Sequence, residues 1–375
     1  MSEIIKIFTG ADVHDGQRLH DGAALALLQD GRRRILAPQD VPQGCETEVL
    51  EGGVLTPGFV DLQVNGGGGV MLNAAPDGAS LRRMAMAHRA TGVAGFLPTL
   101  ITDRPEVTAA AIDAVAQAVA DAVPGIIGLH LEGPHLSVAR KGAHDAALIR
   151  PMESADIDLI LQAAARLPNL MVTVAPETVT RAQISAMAQA GVIVSLGHSD
   201  ADYETCIAAF DAGARCVTHL FNAMSQMGNR APGLVGAALA RADVQAGLIA
   251  DGIHVHPASM RNALAAKGAG IFLVSDAMAT AGSDIQSFSL NGRAVYRSEG
   301  RLTLADGTLA GADLEMGHAV RTLVGSADVP LAQALAMATS GPAALLRKKG
   351  GLGQIETPGV LLHYYPESGT SRLLA

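Results

Sequence analysis

The sequence has no tryptophan, and Phe and Tyr together supply only 3% of its residues. A core without large rings must be packed from Ala, Val, Leu, Ile and Met, and a 49% hydrophobic content supplies enough of them to bury a sizeable one. Cysteine is nearly as scarce, and Cys45, Cys206 and Cys216 are too few and too scattered for a disulfide framework. Positive charge is in deficit, with 27 Lys and Arg against 36 Asp and Glu and a formal charge of −9. That balance argues against a general nucleic-acid surface. It leaves room for an anionic small ligand, for which one or two local arginines suffice. The opening Met1-Ser2-Glu3-Ile4-Ile5-Lys6 lacks the apolar stretch of a secretion signal, and no long uncharged apolar span follows. A soluble, cytoplasmic protein without membrane partners is expected.

Glycine, by contrast, is plentiful: 42 residues dispersed between apolar runs, a pattern of tight turns and not of disorder. Mean hydropathy is +0.27. A chain of 375 residues fits one large barrel with a small appendage. Apolar runs at 4–8, 23–28 and 49–54, broken by Asp15-Gly16, Asp21-Gly22 and Asp30-Gly31, read as a small β module over residues 1–57. After Thr56-Pro57-Gly58 the rhythm changes. Strand-like runs at 58–63, 92–97, 126–132, 170–176, 192–198, 216–219, 246–250 and 271–276 alternate with Ala-rich amphipathic stretches such as 80–90, 105–122, 154–166, 181–190 and 257–266. Eight strands with helices between them predict an α/β fold, a (β/α)₈ barrel over residues 58–349 closed by a helical region at 320–346. No Gly-x-Gly-x-x-Gly turn follows the first strand, which removes the dinucleotide reading. Residues 350–375 return to strand character and are expected to pair with the first module.

The polar residues of the barrel cluster where its strands end, the face on which such barrels carry their chemistry. Strand one runs through Asp61, Gln63 and Asn65, strand three gives His130 and Glu132, and strands five and six give His198 and His219. Strand seven leads to Asp251 and His254, and strand eight stops at Asp276. A lone strand-end histidine is more often structural than functional. Glu132, His198 and His219 together form a set whose ligand types suit zinc with one position left open for water. Asp276 follows a run apolar enough to be buried, and a carboxylate there is costly unless a partner or metal is near. It is the natural general base for the water and general acid for a leaving amine, with a helix N-cap as the competing reading. Arg230, in a Gly/Pro-rich loop, and His254 are the best placed donors for an anion. His14, His20, His88, His318 and His363 read as surface or core residues, and His135 and His256 carry no assigned role.

Several of these segments together resemble one family. They are Pro57-Gly58-Phe59-Val60-Asp61, His130-Leu131-Glu132-Gly133-Pro134, Lys141-Gly142-Ala143-His144, Leu196-Gly197-His198-Ser199, Thr218-His219-Leu220-Phe221-Asn222-Ala223-Met224 and Ala250-Asp251-Gly252-Ile253-His254. The resemblance is to the N-acetylglucosamine-6-phosphate deacetylases of the amidohydrolase superfamily, and it runs from about residue 50 to about 346. It implies a small β-sandwich built from both chain ends, a homodimer, and hydrolysis of N-acetyl-D-glucosamine 6-phosphate to D-glucosamine 6-phosphate and acetate in amino-sugar catabolism. By motif Glu132, His198 and His219 match the metal ligands and Asp276 the catalytic acid/base. His144 matches the group that polarises the acetamide carbonyl. Ala143, His144, Asn222, Ala223, Arg230, Asp251, His254, Leu309, Ala310 and Gly311 match sugar-phosphate contacts, with Arg230 and His254 reaching the phosphate, in part across a dimer interface.

Many amidohydrolases carry His-x-His after strand one to hold a second metal, where this chain has Gln63 and Asn65. Neutral amides are poor zinc ligands, so these positions and His130 read as supporting or vestigial, and one divalent metal per subunit is expected. Zinc comes first, with iron, cobalt and manganese as alternatives. Strand four also lacks a lysine that could bridge two metals. These two absences count against a cyclic-amide hydrolase, while an amide hydrolase acting on a different N-acyl sugar stays open as the alternative activity. An intact Asp276 and a complete ligand set count against a non-catalytic sugar-phosphate binder. The tail Glu356-Thr357-Pro358-Gly359-Val360 departs from the family pattern, which leaves the closing strands of the β domain unassigned.

Overall fold

A computed structural model describes residues 3–374 of the chain. Eight parallel strands form one sheet in sequential order: β1 (Phe59–Val64), β2 (Val93–Ile101), β3 (Leu129–Glu132), β4 (Leu170–Val174), β5 (Ile193–Leu196), β6 (Cys216–Val217), β7 (Gln245–Leu248) and β8 (Ile271–Leu273). Helices α1 (Gly78–Ala90), α2 (Pro105–Ala120), α3 (Ser154–Arg166), α4 (Arg181–Gln189), α5 (Tyr203–Asp211), α6 (Gly233–Ala240), α7 (Pro257–Lys267) and α8 (Met316–Ala327) lie between and after them. With helices outside and side chains inside, both faces of each strand are covered, and every residue of β1, β3, β4 and β5 is buried. The helices start where side chains can take up free backbone N–H groups. Asp77 accepts from the Ser80 N–H at 2.8 Å, Asp202 from Thr205 at 2.8 Å, and Thr180 with Gln183 forms a reciprocal cap. Pro105 and Pro257 occupy the first turns of α2 and α7, where no N–H is needed.

The seam between β1 and β8 closes the barrel differently from the other strand pairs. It has a single bridge, Val64 to Ala277, with Asn65 N–H donating to Ala277 O at 2.8 Å and Asp276 N–H to Gln63 O at 3.1 Å. The fully buried Asp61 carboxylate adds side-chain bonds, accepting from the Ser275 N–H at 3.2 Å, from the Ser275 hydroxyl, and from the Gln63 N–H at 3.2 Å. Below the strand ends, His130 Nε2, Thr173, Thr218 and Ser195 form a buried chain with steps of 2.7, 2.7 and 2.6 Å.

The two chain ends build a sandwich of a four-stranded and a five-stranded sheet. In the second, Leu361–Tyr365 pairs antiparallel with both Val54–Pro57 and Thr370–Leu374, so the divergent tail does form closing strands. Phe8 and Leu25 of one sheet pack with Val13, Leu55, Leu361 and Leu374 of the other. The buried Arg33 ties the tail down through the carbonyls of Ile355 at 3.2 Å, Thr357 at 2.9 Å and Gly359.

The sequence reading missed an antiparallel sheet inserted between β8 and α8, made of Ser287–Leu290, Arg293–Ser298, Arg301–Leu304 and Leu309–Ala312. Its signal was present: Asn291-Gly292 sits between two alternating segments, the mark of a tight hairpin. The sheet leans over the mouth of the barrel, packing Leu290, Val295 and Ala310 on Ile101 and Met278. The helical region expected at 320–346 is three helices, α8 followed by Leu331–Ala338 and Ser340–Leu345. No helix of the described residues is long and apolar enough to cross a membrane.

Candidate active site

Glu132 ends β3, while His198 and His219 each lie two residues beyond the last residue of β5 and β6. Both histidines and Asp276 have positive φ, +48°, +33° and +51°, a region few non-glycine residues occupy. Such backbone strain collects at functional sites because the surrounding structure must hold it in place. Gly197 makes the approach of His198 feasible, since a Cβ there would lie 2.9 Å from both Thr173 Cγ2 and Thr218 Cβ. The glycine of the Leu-Gly-His-Ser segment is therefore a packing requirement of the site.

The three side chains converge on one point. His198 Nε2 lies 3.2 Å and His219 Nε2 3.1 Å from the same Glu132 oxygen, and the two nitrogens are 3.0 Å apart. His198 Nδ1 donates to the Arg140 carbonyl at 2.8 Å, so the neutral ring presents a lone pair at Nε2. Three atoms that carry lone pairs, buried at these separations, nearly match the edges of a tetrahedron around a metal at about 2.0–2.1 Å, roughly 3.3 Å each. The residues present therefore fit a divalent metal. His219 Nδ1 is buried with no partner among the described residues.

Asp276 faces this cluster from the β1–β8 seam. Its Oδ1 accepts from Gln63 Nε2 at 3.0 Å and from Asn65 Nδ2 at 2.7 Å. Burial first, then repulsion from Glu132, raises its carboxyl to about 6. No helix begins after Asp276 until α8, so the N-cap reading is excluded by the fold. His144 sits on the third side, buried, with Nδ1 accepting from the Thr102 backbone N–H at 3.4 Å and lying 2.8 Å from its hydroxyl. Burial, helped by the nearby His198, holds this imidazole well below its ordinary range and hence neutral. With Nδ1 an acceptor, the ring proton is on Nε2.

One cavity joins these groups. Besides Asn65, the ligand cluster, Asp276 and His144, its walls include Ala143, Asn222, Ala223 and His254 of the residues anticipated from sequence. The inserted sheet supplies Leu309 and Gly311, with Ala310 buried behind them. Asp251 stands behind His254 and accepts from its Nδ1 at 2.5 Å. Burial would raise the Asp251 carboxyl, but the bonds from His254 and the Ile253 N–H outweigh it and keep it below the usual range. Gln63 and His130 are buried outside the cavity wall, so His130 does not look into the mouth although it stands two residues before Glu132 on the same strand. Instead its ring bonds Leu62 O at 3.1 Å and Thr173. Arg230 is exposed in its loop and does not line the cavity of a single chain.

Sequence reasoning missed Thr102, which orients His144, and Arg293, which bonds the Ala143 carbonyl and ties the inserted sheet to the loop that carries His144. It also missed Thr308 and Leu290 of the inserted sheet, which line the cavity. Only recognition of the Asn-Gly hairpin would have pointed to them.

A model of the amidohydrolase family matches residues 54–357. An N-acetylgalactosamine-6-phosphate deacetylase of Shewanella sp. (strain ANA-3) is 46% identical over 300 residues, covering 80% of this chain and 76% of that protein. An N-acetylglucosamine-6-phosphate deacetylase of Haemophilus influenzae is 35% identical over 325 residues, covering 86% of this chain and 84% of its own length. The crystal structure of N-acetylglucosamine-6-phosphate deacetylase from Pasteurella multocida superposes with a TM-score of 0.91 at 34% identity, over 98% of both chains.

Proposed function

Because the chain belongs to the amidohydrolase family, we propose that it removes the acetyl group from N-acetyl-D-glucosamine 6-phosphate, giving D-glucosamine 6-phosphate and acetate. The observation that carries this is the meeting, in one cavity, of a Glu/His/His ligand cluster, a carboxyl raised to about 6 and a neutral imidazole with its proton on Nε2. Glu132, His198 and His219 would hold one divalent metal, with zinc the first choice, which supplies Lewis-acid polarisation and a lowered water pKa. Asp276 takes a proton from the attacking water as its oxygen adds to the acetamide carbon. The His144 Nε2–H donates to the carbonyl oxygen as charge builds there. Asp276 then hands its proton to the nitrogen as the C–N bond breaks, giving acetic acid and a neutral amine, between which a proton passes to leave acetate and the ammonium form of the sugar. Ala143, Asn222, Ala223, His254 and the Leu309–Gly311 backbone bind the sugar phosphate, with Arg230 as the main phosphate donor.

We assign this chemistry to residues 58–349 and a supporting role to residues 1–57 and 350–375. The reading includes a cytoplasmic homodimer. Arg230 and Met227, which is 62% exposed, share one loop, which supports an assembly where that loop meets a second copy. A second reading, the C4 epimer N-acetyl-D-galactosamine 6-phosphate as substrate, is favoured by the 46% identity to a deacetylase of that sugar. Acetate release from both sugar phosphates by the purified holoenzyme decides. A higher kcat/KM on the galactosamine compound selects the second reading, and release from neither overturns both.

A further inference from the structure

Gln63 and Asn65 occupy the places where many amidohydrolases hold a second metal, and the NH₂ ends of both amides donate to carboxylates, while Asn65 Oδ1 is buried with no partner among the described residues. Both residues are buried, at 2% and 1% exposure. Gln63 Nε2 lies 3.2 Å from Glu132 Oε1 and 3.0 Å from Asp276 Oδ1, so it bridges a ligand of the metal cluster and the proton-carrying carboxyl. Carboxylates only accept hydrogen bonds, so the NH₂ end must face them, and its two hydrogens match the two oxygens. Asn65 Nδ2 reaches the same Asp276 Oδ1 at 2.7 Å. The backbone locks this register, with Asp276 N–H on Gln63 O at 3.1 Å and Asn65 N–H on Ala277 O at 2.8 Å.

We propose that Gln63 and Asn65 are positioning residues that hold Asp276 by one oxygen, so that Oδ2 alone is left to move the proton. A carboxylate free to rotate presents either oxygen at any angle, whereas two N–H bonds to Oδ1 fix the plane and single out its partner. Gln63 adds a fixed separation between Asp276 and Glu132, and therefore between the proton carrier and the place where water is activated. An imidazole offers a single N–H at each nitrogen and could not span both carboxylates. The residues thus act through Asp276 and not on the substrate. The inference rests on the proposed deacetylation.

The test uses metal-loaded holoenzyme of the wild type, Asn65→Leu, Gln63→Met, Asp276→Ala and the combinations with Asp276→Ala. Acetate release by the wild type comes first, and an inactive wild type overturns the deacetylase reading together with this one. In an active enzyme, each amide substitution is expected to lower kcat about 10–100-fold, as loss of a group that orients a site does. Metal content and KM should hold. In the Asp276→Ala background the same substitutions should change the residual rate by no more than about twofold, because the residue they act through is gone. A crystal structure of Asn65→Leu should show the Asp276 carboxylate turned from its wild-type plane. Equal losses in both backgrounds, a rise in KM with kcat intact, or an unmoved carboxylate would each overturn the proposal. Asn65→Leu leaves the Glu132 contact in place and carries the test if Gln63→Met does not fold.

Discussion

At the ends of β3, β5 and β6, three side chains aim lone pairs at one point. At the ends of β1 and β8, two amides and a serine aim hydrogens at two carboxylates. In the first half the closest approaches, 3.0 to 3.2 Å, are between acceptors, and the arrangement needs a cation to be at rest. In the second half Asp61 and Asp276 accept N–H and O–H groups from Ser275, Gln63 and Asn65, so that donors face both carboxylates without a cation. One barrel mouth thus buries charge in two ways, around an open cluster that fits a cation and around a carboxyl faced by N–H donors.

The contrast breaks most sharply in the first half. His198→Ala or His219→Ala is expected to lose the metal on dialysis and with it all measurable deacetylation, whereas the wild type keeps one equivalent by elemental analysis. Two equivalents in the wild type would show that the second half also takes a cation, against the amide contacts seen there. The second half should lose chemistry without losing metal: Asp276→Asn is expected to lower kcat by about 10²–10⁴, the usual contribution of a general acid–base group. A loss below roughly tenfold with normal metal content would assign the proton to another residue.

On the proposed assignment the phosphate lies outside both halves, so Arg230→Ala should leave metal and kcat on unphosphorylated N-acetylglucosamine untouched. Its kcat/KM for the 6-phosphate sugar should fall by about 2–4 kcal/mol, the range for truncating one partner of a buried charge pair. Equal losses on both sugars would instead make Arg230 a support of the fold or of the assembly.

The last effect, on stability and not on turnover, belongs to Asp61 at the seam. Burial, opposed by the bonds from Ser275 and Gln63, raises its carboxyl to about 7 from the ordinary 3.8. The folded state therefore keeps a proton that the unfolded chain releases, and the stability that the protonated form contributes is lost as pH rises from about 4 to 7. A single group gives a slope of at most about 1.4 kcal/mol per pH unit. Urea unfolding across that range should show a shallower decline for Asp61→Asn than for the wild type. Parallel curves would mean that Asp61 is ionised throughout.

The barrel was legible from period alone, because parallel strands buried on both faces must read as continuous apolar runs, as Met171-Val172-Thr173-Val174 and Val192-Ile193-Val194 do. The strand character of the tail was also legible from its apolar run, but its place beside Val54–Pro57 was not, and Arg33 ties down the Pro358-Gly359 approach to it. The inserted sheet was missed because its alternating strands and Asn291-Gly292 turn lie where a barrel pattern predicts a loop.

By itself the sequence determined the strand order, the ends where polar residues gather and the residue types that could bind a metal, since each follows from local periodicity or local chemistry. Only the tertiary structure decided which of those residues meet. Glu132 and His219 are 87 positions apart and touch because β3 and β6 curve around one axis. Gln63 and Asp276 are 213 apart and touch because β1 and β8 close the ring. His130, two residues from Glu132 on the same strand, was turned away into the hydroxyl chain beneath the site. Alternation along a strand says which face a side chain takes. Depth within a barrel is set by the stagger between strands, and no local pattern in one strand carries that information.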